Sequence, residues 1–191
     1  MSTDSLTTEP PLLSADALEA LLALARATVD ASVRGGRLPD LPASPELAEP
    51  RGVFVSLHWR GALRGCLGHL EADYPVAEAV QRMAVASSQD DPRFPPVTRS
   101  ELDDLDVEVS VLTPSRRIRP EEVEPGRDGL IVRRGPRAGV LLPQVAVEQR
   151  WDREAFLRGV CQKALLPADA WQDAATELFA FRAQVVPPRQ P

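Results

Sequence analysis

The stretch GVFVSLHW, then Arg60 and Gly61, then ALRGCLG constrains the fold of this chain more than any other: two β-prone runs flank a tight turn and read as a β-hairpin. GLIVRR and GVLL, bracketing a turn with Gly135 and Pro136, repeat the signal. Hairpins mixed with helices, without regular βαβ alternation, favour an α+β fold over a doubly wound parallel sheet.

The helices have their own punctuation. Ser14 can cap one running to about Arg34, with Leu18, Leu21, Leu22, Ala25 and Val29 as its buried stripe and Gly35 and Gly36 at its end. Pro75 suits the first turn of a second helix, which stops at the proline-broken segment QDDPRFPPV. Thr98 and Glu101 form a capping box for a short helix, and Leu105, Val107, Val109 and Val111 then alternate as a strand. Asp152 can cap a helix to about Leu165, Pro167 can open another, and ELFAFRAQVV reads as one closing strand. Residues 1–11 and 188–191 read as tails around a single domain over residues 12–187.

Composition narrows the function classes. An apolar fraction of 43% in 191 residues suits one good core. No run approaches the roughly 20 apolar residues of a membrane span, and the first residues look like no export signal, so a cytoplasmic protein with no membrane partner is expected. Two cysteines, Cys66 and Cys161, without a CxxC arrangement make reduced thiols the default and leave no cysteine-based metal site. A net charge of −6 opposes general attraction to nucleic acid, leaving only local arginine clusters such as 116, 117 and 119, or 133, 134 and 137, for RNA. No cofactor motif occurs: Walker, G-x-G-x-x-G and G-x-S-x-G patterns are all missing.

Chemistry concentrates in Leu63-Arg64-Gly65-Cys66-Leu67-Gly68. Gly65 and Gly68 permit close backbone approach or positive φ, and Arg64 could activate the Cys66 thiol as a nucleophile or help it hold an anion; the alternative is a small cysteine packed in a tight bend. His58 and His69 invite a Cys-His reading. With Arg60 and Gly61 as the turn, Cys66 pairs with Val55, leaving His58 about 10 Å along the strand on the opposite face; a one-residue change of register brings it to the same face about 13 Å away. His69 is near enough, but a C-x-x-H pair supplies only two ligands, and no metal is expected. The loop with Asp91, Arg93 and Phe94 could hold a polar ligand, or be fixed by an internal Asp-Arg pair with Phe94 as core anchor. Lys163 is the single lysine among 22 basic residues, a candidate general base or Schiff-base amine, or simply a cation at a helix C-terminus.

GVFVSL, LRGCLG, DPRFPPV, VEVSVLT, GRDGLIV, GVLLPQVAVEQRWD and FLRGVCQKALL, in this order and spacing, resemble the AMMECR domain family over roughly residues 12–187. The resemblance implies two lobes, an antiparallel sheet flanked by helices, and a cleft at LRGCLG. It makes Arg64, Gly65, Gly68, Asp91, Arg93 and Gln144 ligand-binding or cleft candidates beside the catalytic candidates Cys66 and Lys163. It also implies association with a Memo-like protein and a radical SAM protein, the latter bringing its own iron-sulfur cluster. An enzyme or enzyme subunit acting on a nucleobase or small metabolite is one expectation; a binding or scaffold module is the other. His69 stands where the family often has Thr or Ser, and Leu165 where its segment usually reads Gly.

Overall fold

The computed structural model describes residues 12–187; the two expected tails lie outside them. In chain order the elements are α1 (Ala15–Arg34), β1 (Val53–Trp59), β2 (Ala62–His69), α2 (Val76–Gln89), β3 (Leu105–Leu112), β4 (Arg116–Arg117), β5 (Gly129–Arg134), β6 (Arg137–Leu141), α3 (Pro143–Glu148), α4 (Arg153–Lys163), β7 (Glu177–Phe181) and β8 (Ala183–Val186), with short 3-10 turns between. Two four-stranded sheets result, ordered β2-β1-β3-β8 and β4-β7-β5-β6, which makes the fold α+β. The chain divides into two compact units: one reaches Val109 and resumes at Val186, the other is Ser110–Val185.

In the first unit the expected local signals operate. Ser14 Oγ accepts the Ala17 N–H, and Gly35, at φ 70°, ends α1. Leu21, Leu22, Ala25 and Val29 are buried, as are Val53, Val55 and Leu57 of β1 and Val76, Val80 and Ala84 of α2. Each such Leu or Val side chain contributes about 1.5–3 kcal/mol by leaving water, so the apolar alternation of β1 decides which sheet face the helices cover. Thr98 and Glu101 form their capping box, around the 3-10 turn Arg99–Asp104.

In the second unit β5 and β6 pair antiparallel, and Phe156, Leu157 and Val160 of α4 join Leu130 and Val132 in its core. Three expectations need correction here. ELFAFRAQVV is two strands, not one: at Arg182 the backbone leaves the ladder, exchanging hydrogen bonds with Thr113, so β7 and β8 join different sheets. The helix capped by Asp152 stops at Lys163, and Pro167 opens no α-helix, only a turn before the 3-10 segment Ala170–Gln172. α3 was not anticipated because its six residues are too few to show a period.

Candidate functional site

The hairpin does not keep the simple register. Its turn is as expected, with Arg60 and Gly61 at φ 52° and 80° and Trp59 opposite Ala62, but the pairing shifts between Leu57 and His58. His58 faces Leu63 and Leu57 faces Gly65, so Arg64 is the extra residue of a β-bulge. Cys66 therefore lies opposite Ser56 rather than Val55, and the Ser56 hydroxyl donates to the Cys66 sulfur at 3.3 Å. Val53, Val55 and Leu57 are buried while Phe54, Ser56 and His58 are half-buried, so the thiol shares the sheet face turned away from the apolar core. His58 stands two residues beyond Ser56, about 7 Å along the strand. The His69 ring nitrogen meets Asp73 at 3.3 Å. Among the described residues no group of three or more His, Cys, Asp or Glu could hold a metal ion.

The two glycines serve packing, and neither has positive φ. A Cβ on Gly65 would lie 2.3 Å from the Ser87 carbonyl oxygen, so only glycine lets α2 approach β2 this closely. Ser87 uses the proximity: its hydroxyl accepts the Leu67 N–H at 2.9 Å and donates to the Val55 carbonyl at 2.8 Å. At Gly68 the missing side chain makes room for the Phe54 ring across the ladder.

β2 is an edge strand, and at Cys66 its open edge is covered by side chains in place of a fifth strand. The Cys66 N–H donates to Asp91 Oδ2 at 2.8 Å, and Arg93 Nη2 donates to the Cys66 carbonyl at 2.8 Å. Arg93 also grips Asp91 through Nε (3.0 Å) and Nη2 (2.7 Å). The Arg93 hydrogen bond, aided by the Cys66 and Arg93 backbone N–H groups, holds the buried Asp91 carboxyl far below the usual carboxylate range despite its desolvation. Arg93 is pushed up in turn, first by Asp91, with the Cys66 thiol among the smaller causes.

Arg64 does not serve the thiol. Its Nε and Nη2 bind Glu101 at 2.7 and 3.3 Å, and Nη1 and Nη2 bind the carbonyls of Pro95 and Pro96 at 2.9 and 3.2 Å. The bulge aims the guanidinium into the proline loop, and with the Thr98 N–H and hydroxyl it holds Glu101 down at about 2. Phe94 is no core anchor: half-buried, its ring centroid lies 6.0 Å from the Arg64 guanidinium carbon and 5.5 Å from that of Arg93.

The family model for AMMECR1 matches residues 22–186. This chain belongs to the AMMECR1 family. It is 46% identical over 180 residues to a protein of Thermococcus onnurineus, covering 87% of this chain and 88% of that one. Protein PH0010 of Pyrococcus horikoshii is likewise 46% identical over 180 residues, with 87% of each chain covered. The crystal structure of uncharacterized protein PH0010 superimposes with a TM-score of 0.86 at 44% identity, covering 94% of this chain and 96% of that one.

In this AMMECR1-family protein, Arg64, Gly65, Cys66, Gly68, Asp91 and Arg93 come together in the first unit, whereas Gln144 and Lys163 belong to the second. Lys163 is exposed at the last position of α4, where a cation complements the helix C-terminus. After it, Leu165 takes the left-handed conformation at φ 57° with 82% of its surface exposed, and the Leu166 N–H closes on the Cys161 carbonyl at 2.9 Å. The glycine-type turn thus survives without glycine. Gln144 lines a cavity of about 370 Å³ with Arg127, Pro143, Val147 and Val185, and its buried Oε1 has no hydrogen-bond partner among the described residues. In the arginine clusters, Arg117, Arg119 and Arg134 each face a carboxylate, which weakens them as an RNA surface.

Ser56 and Ser87 escaped sequence reasoning as site residues. Ser87 left a trace as a hydroxyl within the apolar stripe of α2; Ser56 left none, because its role depends on the bulge.

Proposed function

We propose that the Cys66 edge of β2 is a thiol site, and that this protein is an enzyme or enzyme subunit acting with Memo-like and radical SAM partners on a nucleobase or small metabolite. The observation that carries the reading is the setting of the sulfur: half-buried, bonded by the Ser56 hydroxyl, on a residue whose carbonyl is held by Arg93. The Ser56 hydroxyl fixes the place of a sulfur that is open to solvent on one side, and a thiolate there could attack an electrophilic carbon. Cys161 is the contrast, wholly buried and pushed up by desolvation, as an inert thiol is. The protein would work in the reducing cytoplasm, where Cys66 stays free; no helix among the described residues is long and apolar enough to cross a membrane.

The test is alkylation of the folded protein by iodoacetamide at pH 7 in a Cys161→Ala background. Cys66 should react at least as fast as glutathione; a much slower thiol would be a packing residue. The full internal bonding of Arg64, Asp91 and Glu101 favours a second reading, a rigid binding module for the Memo-like protein. Binding at micromolar concentration that survives Cys66→Ala with no loss of the partner system's activity would select the module.

A further inference from the structure

The guanidinium groups of Arg64 and Arg93 flank the same strand edge but differ in what they leave unused. Every nitrogen of Arg64 donates to a carboxylate or carbonyl within the protein, and its side chain is 12% exposed. Arg93 uses Nε and Nη2 on Asp91 and on the Cys66 carbonyl, leaving Nη1 outside both contacts, and the guanidinium is near enough to the Cys66 side chain for that side chain to help keep it cationic. Its side chain is 53% exposed while that of Asp91 is 2% exposed, so the pair is a dipole with the carboxylate inside and the cation facing solvent. The grip of Asp91 and the Cys66 carbonyl fixes the guanidinium before any ligand arrives, which reduces the ordering cost of binding.

We infer that Arg93 Nη1 is the anion receptor of the Cys66 site, and that the site takes substrates carrying a carboxylate or phosphate beside the atom the thiol attacks. The inference rests on the reading of Cys66 as a reactive thiol. Arg93 is suited to the role because it stays cationic and offers directed N–H donors to carboxylate and phosphate oxygens. Neutral electrophiles would reach the same sulfur without that help.

The experiment compares iodoacetate with iodoacetamide on the Cys161→Ala protein, using glutathione in the same buffer as reference. Both reagents form the same S–C bond as the C–I bond breaks and iodide leaves; only the charge differs. The iodoacetate-to-iodoacetamide rate ratio should exceed that of glutathione by roughly threefold, the scale of one exposed ion pair. Arg93→Gln should return the ratio to the glutathione value, and Arg93→Lys should keep part of the excess. In the unaltered loop, 0.5 M sodium chloride should remove most of it, a control independent of how the variants fold. Inorganic phosphate and acetate as competitors separate the two anion classes by which one slows iodoacetate more.

A ratio equal to that of glutathione, or an excess untouched by Arg93→Gln, overturns the inference even if Cys66 is fast. An elevated ratio with slow absolute rates upholds Arg93 as the anion receptor but removes the reactive-thiol reading, and with it the claim about the atom attacked. Should neither reagent react, calorimetric titration with phosphate and acetate decides: Arg93-dependent binding upholds the anion receptor, and its absence overturns it.

Discussion

The β2 edge at Cys66 and the end of α4 at Lys163 both put a candidate residue beside a backbone position where glycine is expected, yet they use opposite physics. At Gly65 the backbone conformation is ordinary and the obstacle is steric, because a Cβ would lie 2.3 Å from a carbonyl oxygen of α2. At Leu165 nothing blocks the side chain, which is 82% exposed, and the demand is conformational, a φ of 57°. A clash with backbone cannot be relaxed without moving a helix. Left-handed strain of about 1–2 kcal/mol is bearable, so that glycine could be lost without losing the turn.

The sharpest way to break this comparison is Gly65→Ala. It should destabilise the protein by about 3 kcal/mol, since α2 must shift and the Ser87 hydrogen bonds go with it. Denaturant unfolding measures this; a cost below about 0.5 kcal/mol would mean that the approach of α2 is soft.

Acid comes next, through Asp91 and Glu101, which tie the proline loop to β2. Both carboxyls lie lower in the folded than in the unfolded chain, so the unfolded state binds more protons between the two values. Their stabilisation is complete above the unfolded values near pH 4 and is lost as pH falls toward about 2 for Glu101 and lower for Asp91. Asp91→Asn and Glu101→Gln should each cost about 2 kcal/mol at pH 7, the scale of a hydrogen bond to a charged group, and each should flatten the acid limb of stability against pH. An acid limb unchanged in both variants would remove this account of the loop.

The smallest effect sharpens the comparison from the other side. Leu165→Gly should raise stability by about 0.5 kcal/mol, the left-handed strain relieved less the extra freedom of the unfolded glycine. Thermal unfolding should show a small upward shift for glycine and none for Leu165→Ala, which keeps the strain.

Much of the fold was legible in the sequence because its signals are local. The Ser14 and Asp152 caps, the Arg60–Gly61 turn, the alternation of β1 and β3 and the Thr98 capping box all depend on residues within one or two turns of each other. The site was legible only as a set of suspects. Cys66, Asp91 and Arg93 were singled out, but Arg64 was given the thiol and Phe94 the core, and neither holds its assigned place.

By itself, then, the sequence determined the element types, the α+β class and the segments where chemistry gathers, because periodicity, caps and turn residues act over a few positions. The tertiary structure alone decided which side chains meet. A single bulge residue moves Cys66 from Val55 to Ser56, Asp91 reaches Cys66 across 25 residues, and Glu101 takes Arg64 across 37. Alternation along a strand has a period of two, so one inserted residue reverses every assignment beyond it, and no local pattern announces the insertion.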